Sequence, residues 1–143
     1  NIYAIAAGVT EGLNLGENAK SALISRSFAE MTRYAKKFKA DKNTLFGLSG
    51  LGDLILTCSS KNSRNTQFGI KLASSKYDNF LDLLKSQEVT EGYYTVKAVY
   101  NISQKKNIDM PIMESVYNIL YKQHDLKEEL SNLLSRPITE EKI

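Results

Sequence analysis

Three short stretches carry residue types that chemistry can use. The first is Ser49-Gly50-Leu51-Gly52-Asp53, followed by Leu54-Ile55-Leu56-Thr57-Cys58. It sets a carboxylate at an expected helix start, with flexible backbone before it. Thr57, four residues on, shares a helix face with Asp53. Such an acid can orient a partner base or bind a substrate hydroxyl. It can equally be an N-cap satisfied by the helix's own N–H groups and dipole. A hydroxyl bonded back to a carbonyl is the structural alternative for Thr57.

The second stretch is Ser63-Arg64-Asn65, also at an expected helix start. Free backbone N–H groups, a guanidinium fork and two short polar side chains make a cradle for an oxyanion or phosphate. The same three residues also describe a capped surface helix with a solvated arginine. The third is Glu91 before Gly92, which as a residue type is a first-turn acid. His124 lies in a polar turn and has no assigned role. Cys58 sits on an apolar face, which favours an inert core thiol.

The elements that must hold these residues are helices. Ile2–Gly8 is apolar, and Gly8, Gly12 and Gly16 recur at spacing four. That spacing permits close helix packing or, alternatively, turns. From Glu17 to Lys39, Ile24, Phe28, Met31, Ala35 and Phe38 mark an inward face. Arg26, Glu30, Arg33 and Lys37 mark the solvent side. Asp41 can cap a short helix through Phe46. Leu51, Leu54, Ile55 and Cys58 share one face, and Ser59–Asn62 reads as a loop. Ser63 can cap a helix with Phe68 and Leu72 inward, and Asp78 opens another with Leu81 and Leu84 inward. Thr90–Lys106 is periodic through Tyr94, Ala98 and Ile102. Asn107 suits a left-handed C-terminal residue. Pro111 suits the first turn of a helix carrying Met113, Val116 and Leu120. Asp125 and Glu128 resemble a capping box before Leu126, Leu130 and Leu133. Pro137 ends the regular part, and Ile138 onward is expected to fray. The fold class is all-α: an irregular globule of seven or eight helices.

The chain has 143 residues, 42% hydrophobic and 24% charged, with a net charge of +3, which fits one ordinary globular domain. One Cys excludes an intrachain disulfide framework and fits a reducing, cytoplasmic setting. One His excludes most His-based metal sites, and no metal is expected. The apolar run Ile2–Val9 is far short of the ~20 residues of a membrane span. Lys and Arg are dispersed and the tyrosines are scattered through the helices without a stacking platform, so nucleic acid is not an expected partner. The chain opens on Asn1 and moves straight into apolar sequence, which reads as a piece of a longer protein.

In order, Asn1-Ile2-Tyr3-Ala4-Ile5-Ala6-Ala7-Gly8-Val9-Thr10-Glu11-Gly12-Leu13-Asn14-Leu15-Gly16-Glu17-Asn18 resembles the pattern of NAD(P)-dependent sn-glycerol-3-phosphate dehydrogenases. So do Gly50-Leu51-Gly52-Asp53-Leu54-x-x-Thr57-Cys58, Ser63-Arg64-Asn65-x-x-Phe68-Gly69, Val89-x-Glu91-Gly92 and Met110-Pro111-Ile112. The combination covers essentially the whole chain.

The resemblance implies that residues 1–143 form the helical substrate domain of an enzyme with a separate N-terminal Rossmann domain. Such a domain resembles the C-terminal domain of 6-phosphogluconate dehydrogenase-like dehydrogenases. The implied reaction reduces dihydroxyacetone phosphate to sn-glycerol 3-phosphate with NAD or NADP as cofactor, feeding phospholipid synthesis. The family's general acid/base is a Lys just before the position of Asn1, so this chain alone is expected to be inactive. By the same resemblance Asp53 is the catalytic partner of that Lys. Asn1, Asp53, Thr57, Ser63, Arg64 and Asn65 bind substrate, and Arg64, Val89 and Glu91 approach the cofactor. A homodimer is compatible with it. Two positions depart from the pattern: Tyr3 replaces an aliphatic residue, and Thr66 replaces a frequent second Arg, which lowers the positive charge near the phosphate. The alternative from another class is a free-standing helical interaction module without catalysis.

Overall fold

A computed structural model describes residues 1–74, 82–83 and 89–137. The helices are α1 (Ile2–Gly12), α2 (Glu17–Lys37), α3 (Lys42–Phe46), α4 (Asp53–Ser59), α5 (Arg64–Ser74), α6 (Glu91–Lys106), α7 (Pro111–Tyr121) and α8 (Leu126–Ser135). A π-helical turn, Leu48–Gly52, leads into α4, and the described residues contain no strand. The helix expected from Asp78, with Leu81 and Leu84, and the tail from Ile138 lie outside the described residues.

The centre of the fold is α1, which runs on past Gly8 to Gly12 and is buried on every side from Ile2 to Thr10. An all-round apolar helix has no face to give to water, so the other helices wrap it. The closest of them is α5. A Cβ added to Gly8 would collide with the carbonyl oxygen of Thr66, and one added to Gly69 with that of Ile5. A Cβ on Gly12 would lie 2.6 Å from that of Ala73. Gly8 thus meets Thr66 and, one turn on, Gly12 meets Ile70 and Ala73, so α1 and α5 lie parallel with their backbones touching. The four-residue spacing thus divides between its two readings. Gly8 and Gly12 serve helix contact, whereas Gly16, at φ +90°, serves the turn into α2.

α2 covers α1 with a face rotated by one residue from expectation. Its buried residues are Leu23, Ser27 and Glu30, while Ile24, Phe28, Met31 and Ala35 flank them half-buried and Phe38 is 45% exposed. Glu30, expected on the solvent side, is 1% exposed. The reason lies across the core. α7 starts after Met110, whose side chain cannot cap, and the Glu30 carboxylate takes over that function. Oε1 accepts from Ile112 N (2.6 Å), and Oε2 accepts from Met113 N (3.2 Å) and Tyr3 Oη (3.2 Å). With Pro111 in the first turn, these are the amides an N-cap side chain would ordinarily satisfy. Nearby, Arg33 Nε donates to the Asp109 carbonyl at 2.7 Å, and Arg26 donates to the Leu133 carbonyl of α8 at 2.8 Å.

Several local expectations hold. Asp41 caps α3 and Asp125 caps α8, accepting from Asn43 N and Glu128 N. Asn107 ends α6 in the left-handed region at φ 50°, ψ 56°. The inward face of α6 does not follow Tyr94, Ala98 and Ile102. Gly92, Val96 and Ser103 are buried, Tyr94 is 67% exposed and Ala98 is exposed. The tyrosines are not scattered in space either. Tyr100 and Tyr117 stack at 3.7 Å, Tyr117 and Tyr121 at 5.1 Å, and Tyr121 and Tyr93 at 4.7 Å, forming a seam between α6 and α7. Periodicity within one helix aligns Tyr117 with Tyr121, but it could not show the stacking of Tyr100 on Tyr117 or Tyr93 on Tyr121, whose partners lie on different helices. On α4, Leu54 and Cys58 are buried, whereas Ile55 is 46% exposed because it points past the core. Among the described residues no helix is long and apolar enough to cross a membrane.

Two outcomes follow. Gly69→Ala forces α1 and α5 apart and should cost about 3 kcal/mol or more in chemical denaturation. Gly52→Ala, at φ −60° and ψ −47° with its nearest obstacle a flexible Leu48 methyl at 3.4 Å, should be neutral or up to about 1 kcal/mol stabilising. Burial pushes the Glu30 carboxyl up from 4.5 to about 7 against the opposing pull of its hydrogen bonds and Arg33. Between those values the folded chain holds a proton the unfolded chain releases. Stability from this group is therefore full below about pH 4.5 and is lost as pH rises through about 7. Unfolding followed across that window should show the decline, and Glu30→Gln should flatten it.

Candidate functional site at a convergence of helix N-termini

Parallel packing of α1 and α5 brings their first turns to the same end of the molecule, and α6 starts there too. Asn65 Oδ1 accepts from Gly92 N at 3.1 Å. A Cβ on Gly92 would lie 2.7 Å from that same oxygen, 2.7 Å from Ile5 Cδ1 and 3.1 Å from the Asn1 carbonyl oxygen. Position 92 is crowded by both α1 and α5, and a glycine there lets the start of α6 lie close against them. The first turns of α1, α5 and α6 therefore lie at one pole, where Asn65 and Ser63 already take the Gly92 and Thr66 amides. Such a pole favours an anion.

α5 begins with a true cap. Ser63 Oγ accepts from Thr66 N at 3.3 Å, and the Ser63 carbonyl accepts from Gln67 N at 2.9 Å. Arg64, the first helical residue, is exposed. Its guanidinium is therefore available at the pole. Asn65 is 7% exposed and its oxygen is committed to Gly92, which leaves the NH2 donors of Nδ2 for any further partner. Thr66 is fully buried, and its Oγ1 donates to the Thr57 carbonyl at 3.0 Å. A threonine here locks α4 to α5; it does not extend a charge toward solvent.

Asp53 is the first residue of α4, exposed, and makes no cap hydrogen bond; the chain enters α4 already helical through the π turn. The N-cap reading of Asp53 therefore does not apply, and its carboxylate is unspent in that role. Thr57 lies one turn on, half-buried. Between them and the core lies Cys58, 1% exposed, whose thiol is pushed up to about 11 by burial, with a smaller raising contribution from Asp53. Such a thiol is not a nucleophile at neutral pH.

Asn1, Ser63, Arg64, Asn65 and Glu91 thus share the pole; Thr57 joins α5 through its carbonyl, and Asp53 lies one turn before it on α4. Glu91 is exposed on the turn whose amide Asn65 holds, and Val89, half-buried, lies two residues before it. His124 lies elsewhere, paired with Glu129 at 2.8 Å on α8. Sequence reasoning missed Gly92 as the residue that lets α6 close on α1 and α5. Its one signal was a glycine directly after a helix-starting acid.

Comparison with known proteins identifies the family. The family model for the C-terminus of NAD-dependent glycerol-3-phosphate dehydrogenase matches residues 1–131. A glycerol-3-phosphate dehydrogenase [NAD(P)+] of Solidesulfovibrio magneticus is 46% identical over 142 residues, covering 99% of this chain and 42% of its own length. That of Staphylococcus carnosus is 43% identical over 137 residues, covering 95% and 41%. The crystal structure of glycerol-3-phosphate dehydrogenase from Coxiella burnetii superposes with a TM-score of 0.87 at 39% identity, covering 94% of this chain and 41% of that one. The chain therefore spans about two fifths of the length of the relatives it matches. With its helical core, its shared pole and a family match over most of its length, the chain belongs to the C-terminal domain family of NAD-dependent glycerol-3-phosphate dehydrogenase.

Proposed function

We propose that this chain is the substrate-binding domain of a cytoplasmic enzyme that interconverts dihydroxyacetone phosphate and sn-glycerol 3-phosphate with NAD(P)H. The observation that carries the reading is the meeting of the α5 and α6 starts, through Asn65 and Gly92, beside Asn1 and an exposed Arg64. A phosphate monoester needs N–H donors and a guanidinium fork at one end. The hydroxyl and carbonyl end needs short polar groups and an acid, and Asn1, Thr57 and Asp53 supply them.

In this reading Ser63, Arg64 and the Asn65 amide hold the phosphate. Asp53 accepts a hydrogen bond from the ammonium of the family's lysine, which precedes the position of Asn1 in the family pattern. That bond orients the proton toward the carbonyl oxygen as it gains negative charge. NAD(P)H supplies the hydride when bound. A guanidinium at Arg64, a carboxylate at Glu91 able to accept from ribose hydroxyls and an apolar Val89 fit one edge of a dinucleotide. Exposed Leu48 (91%) and Leu56 (68%) favour a second reading, a helical module that binds a protein partner.

Titration of the chain with sn-glycerol 3-phosphate should shift the amide resonances of Ser63, Arg64, Asn65 and Gly92, and Arg64→Ala should weaken binding by about tenfold or more. Unmoved resonances leave the interaction module in the lead. In an enzyme extended by the family's N-terminal portion, Asp53→Asn should lower kcat by about 10²–10⁴-fold with KM little changed. Near-normal turnover would remove Asp53 from the proton path.

A further inference from the structure

The junction of Tyr3, Glu30 and the start of α7 is buried and polar, and it lies within one helical turn of Asn1. Its Oε2 oxygen carries two donors at once, Met113 N and Tyr3 Oη, both at 3.2 Å, while Oε1 takes Ile112 N at 2.6 Å. A carboxylate accepts all three bonds. Once protonated on Oε2, that oxygen donates one bond and is a weaker acceptor. The Tyr3 bond then reverses, with Glu30 donating to Oη, and the Met113 bond weakens.

We infer that Glu30 is a positioning residue: through Tyr3 its protonation state sets the placement of the first turn of α1, and with it Asn1 and the ligand pole. The groups facing it are Tyr3 from α1, Arg33 from its own helix α2 and backbone N–H groups from α7, with the Cys58 thiol of α4 beyond Tyr3. Burial holds the Tyr3 phenol protonated well beyond its usual range, so Glu30 is the member that titrates near neutrality, at about 7. The Tyr3 phenol connects the carboxyl to α1. The consequence for ligand rests on the proposed phosphate site; the coupling between Glu30 and α1 does not.

The test is a pH titration of the isotopically labelled 143-residue chain from pH 5.5 to 8.5. The Glu30 side-chain carbon should titrate with a midpoint near 7. The amides of Ile112 and Met113, and those of Tyr3, Ala4 and Ile5, should move with the same midpoint. In Tyr3→Phe the α7 amides should still titrate and the α1 amides should fall still; Glu30→Gln should silence both sets. Absence of a Glu30 midpoint in this range, or α1 amides that titrate unchanged in Tyr3→Phe, overturns the inference. For function, the affinity ratio of native chain to Tyr3→Phe for sn-glycerol 3-phosphate should change by at least about fivefold between pH 6 and pH 8. The ratio cancels the ligand's own ionisation. A flat ratio with moving α1 amides removes the positioning role. If neither chain binds the ligand, the phosphate-site reading fails, and the amide titration still decides the coupling of Glu30 to α1.

Discussion

Backbone contact between α1 and α5 is the constraint on which the remaining structure depends. Gly8 and Gly69 allow it by leaving room for a carbonyl where a Cβ would sit. The contact fixes direction as well as distance. Because the two helices run parallel, Asn1 and the Ser63–Asn65 turn open at one end, and Gly92 lets α6 start at that same end. Had α5 run the other way, Arg64 would lie near Gly12 and no pole would form. The chemistry available to the chain is thus set by three small residues that carry no functional group.

Much of this was legible in the amino-acid order. Helix content, the caps at Asp41, Ser63 and Asp125, the left-handed Asn107 and the Pro111 start follow from local chemistry, and local chemistry is what a sequence displays. Facing directions were less legible. Glu30 repeats with Arg26, Arg33 and Lys37 and reads as one more solvent charge. Its burial is decided by the uncapped start of α7, some eighty residues away. The seam of Tyr93, Tyr100, Tyr117 and Tyr121 was hidden for a similar reason, since each ring finds its partner across a helix pair. At the candidate site, Ser63, Arg64 and Asn65 stood out by type and spacing. Asn65 proved to have a structural duty to Gly92 that only three-dimensional proximity discloses.

Two buried side chains near the pole share a character. Tyr3 and Thr66 are both buried, and both spend a hydroxyl on a neighbouring element, Tyr3 on Glu30 of α2 and Thr66 on the Thr57 carbonyl of α4. Each strengthens the frame behind the pole without adding charge to it. Positive character at the pole comes from Arg64 and from backbone N–H groups, which are rigid and cannot be titrated away.

The parallel contact of α1 and α5 also sets like poles shoulder to shoulder. Two macrodipoles aligned in the same sense at van der Waals distance repel, most strongly at their ends. The glycines that permit the contact therefore hold together amide groups whose fields oppose one another, and part of the packing of α1 on α5 offsets that repulsion. An anion held at that end would turn the mutual repulsion into a shared attraction, so charge of that sign and the frame of the fold would stabilise each other.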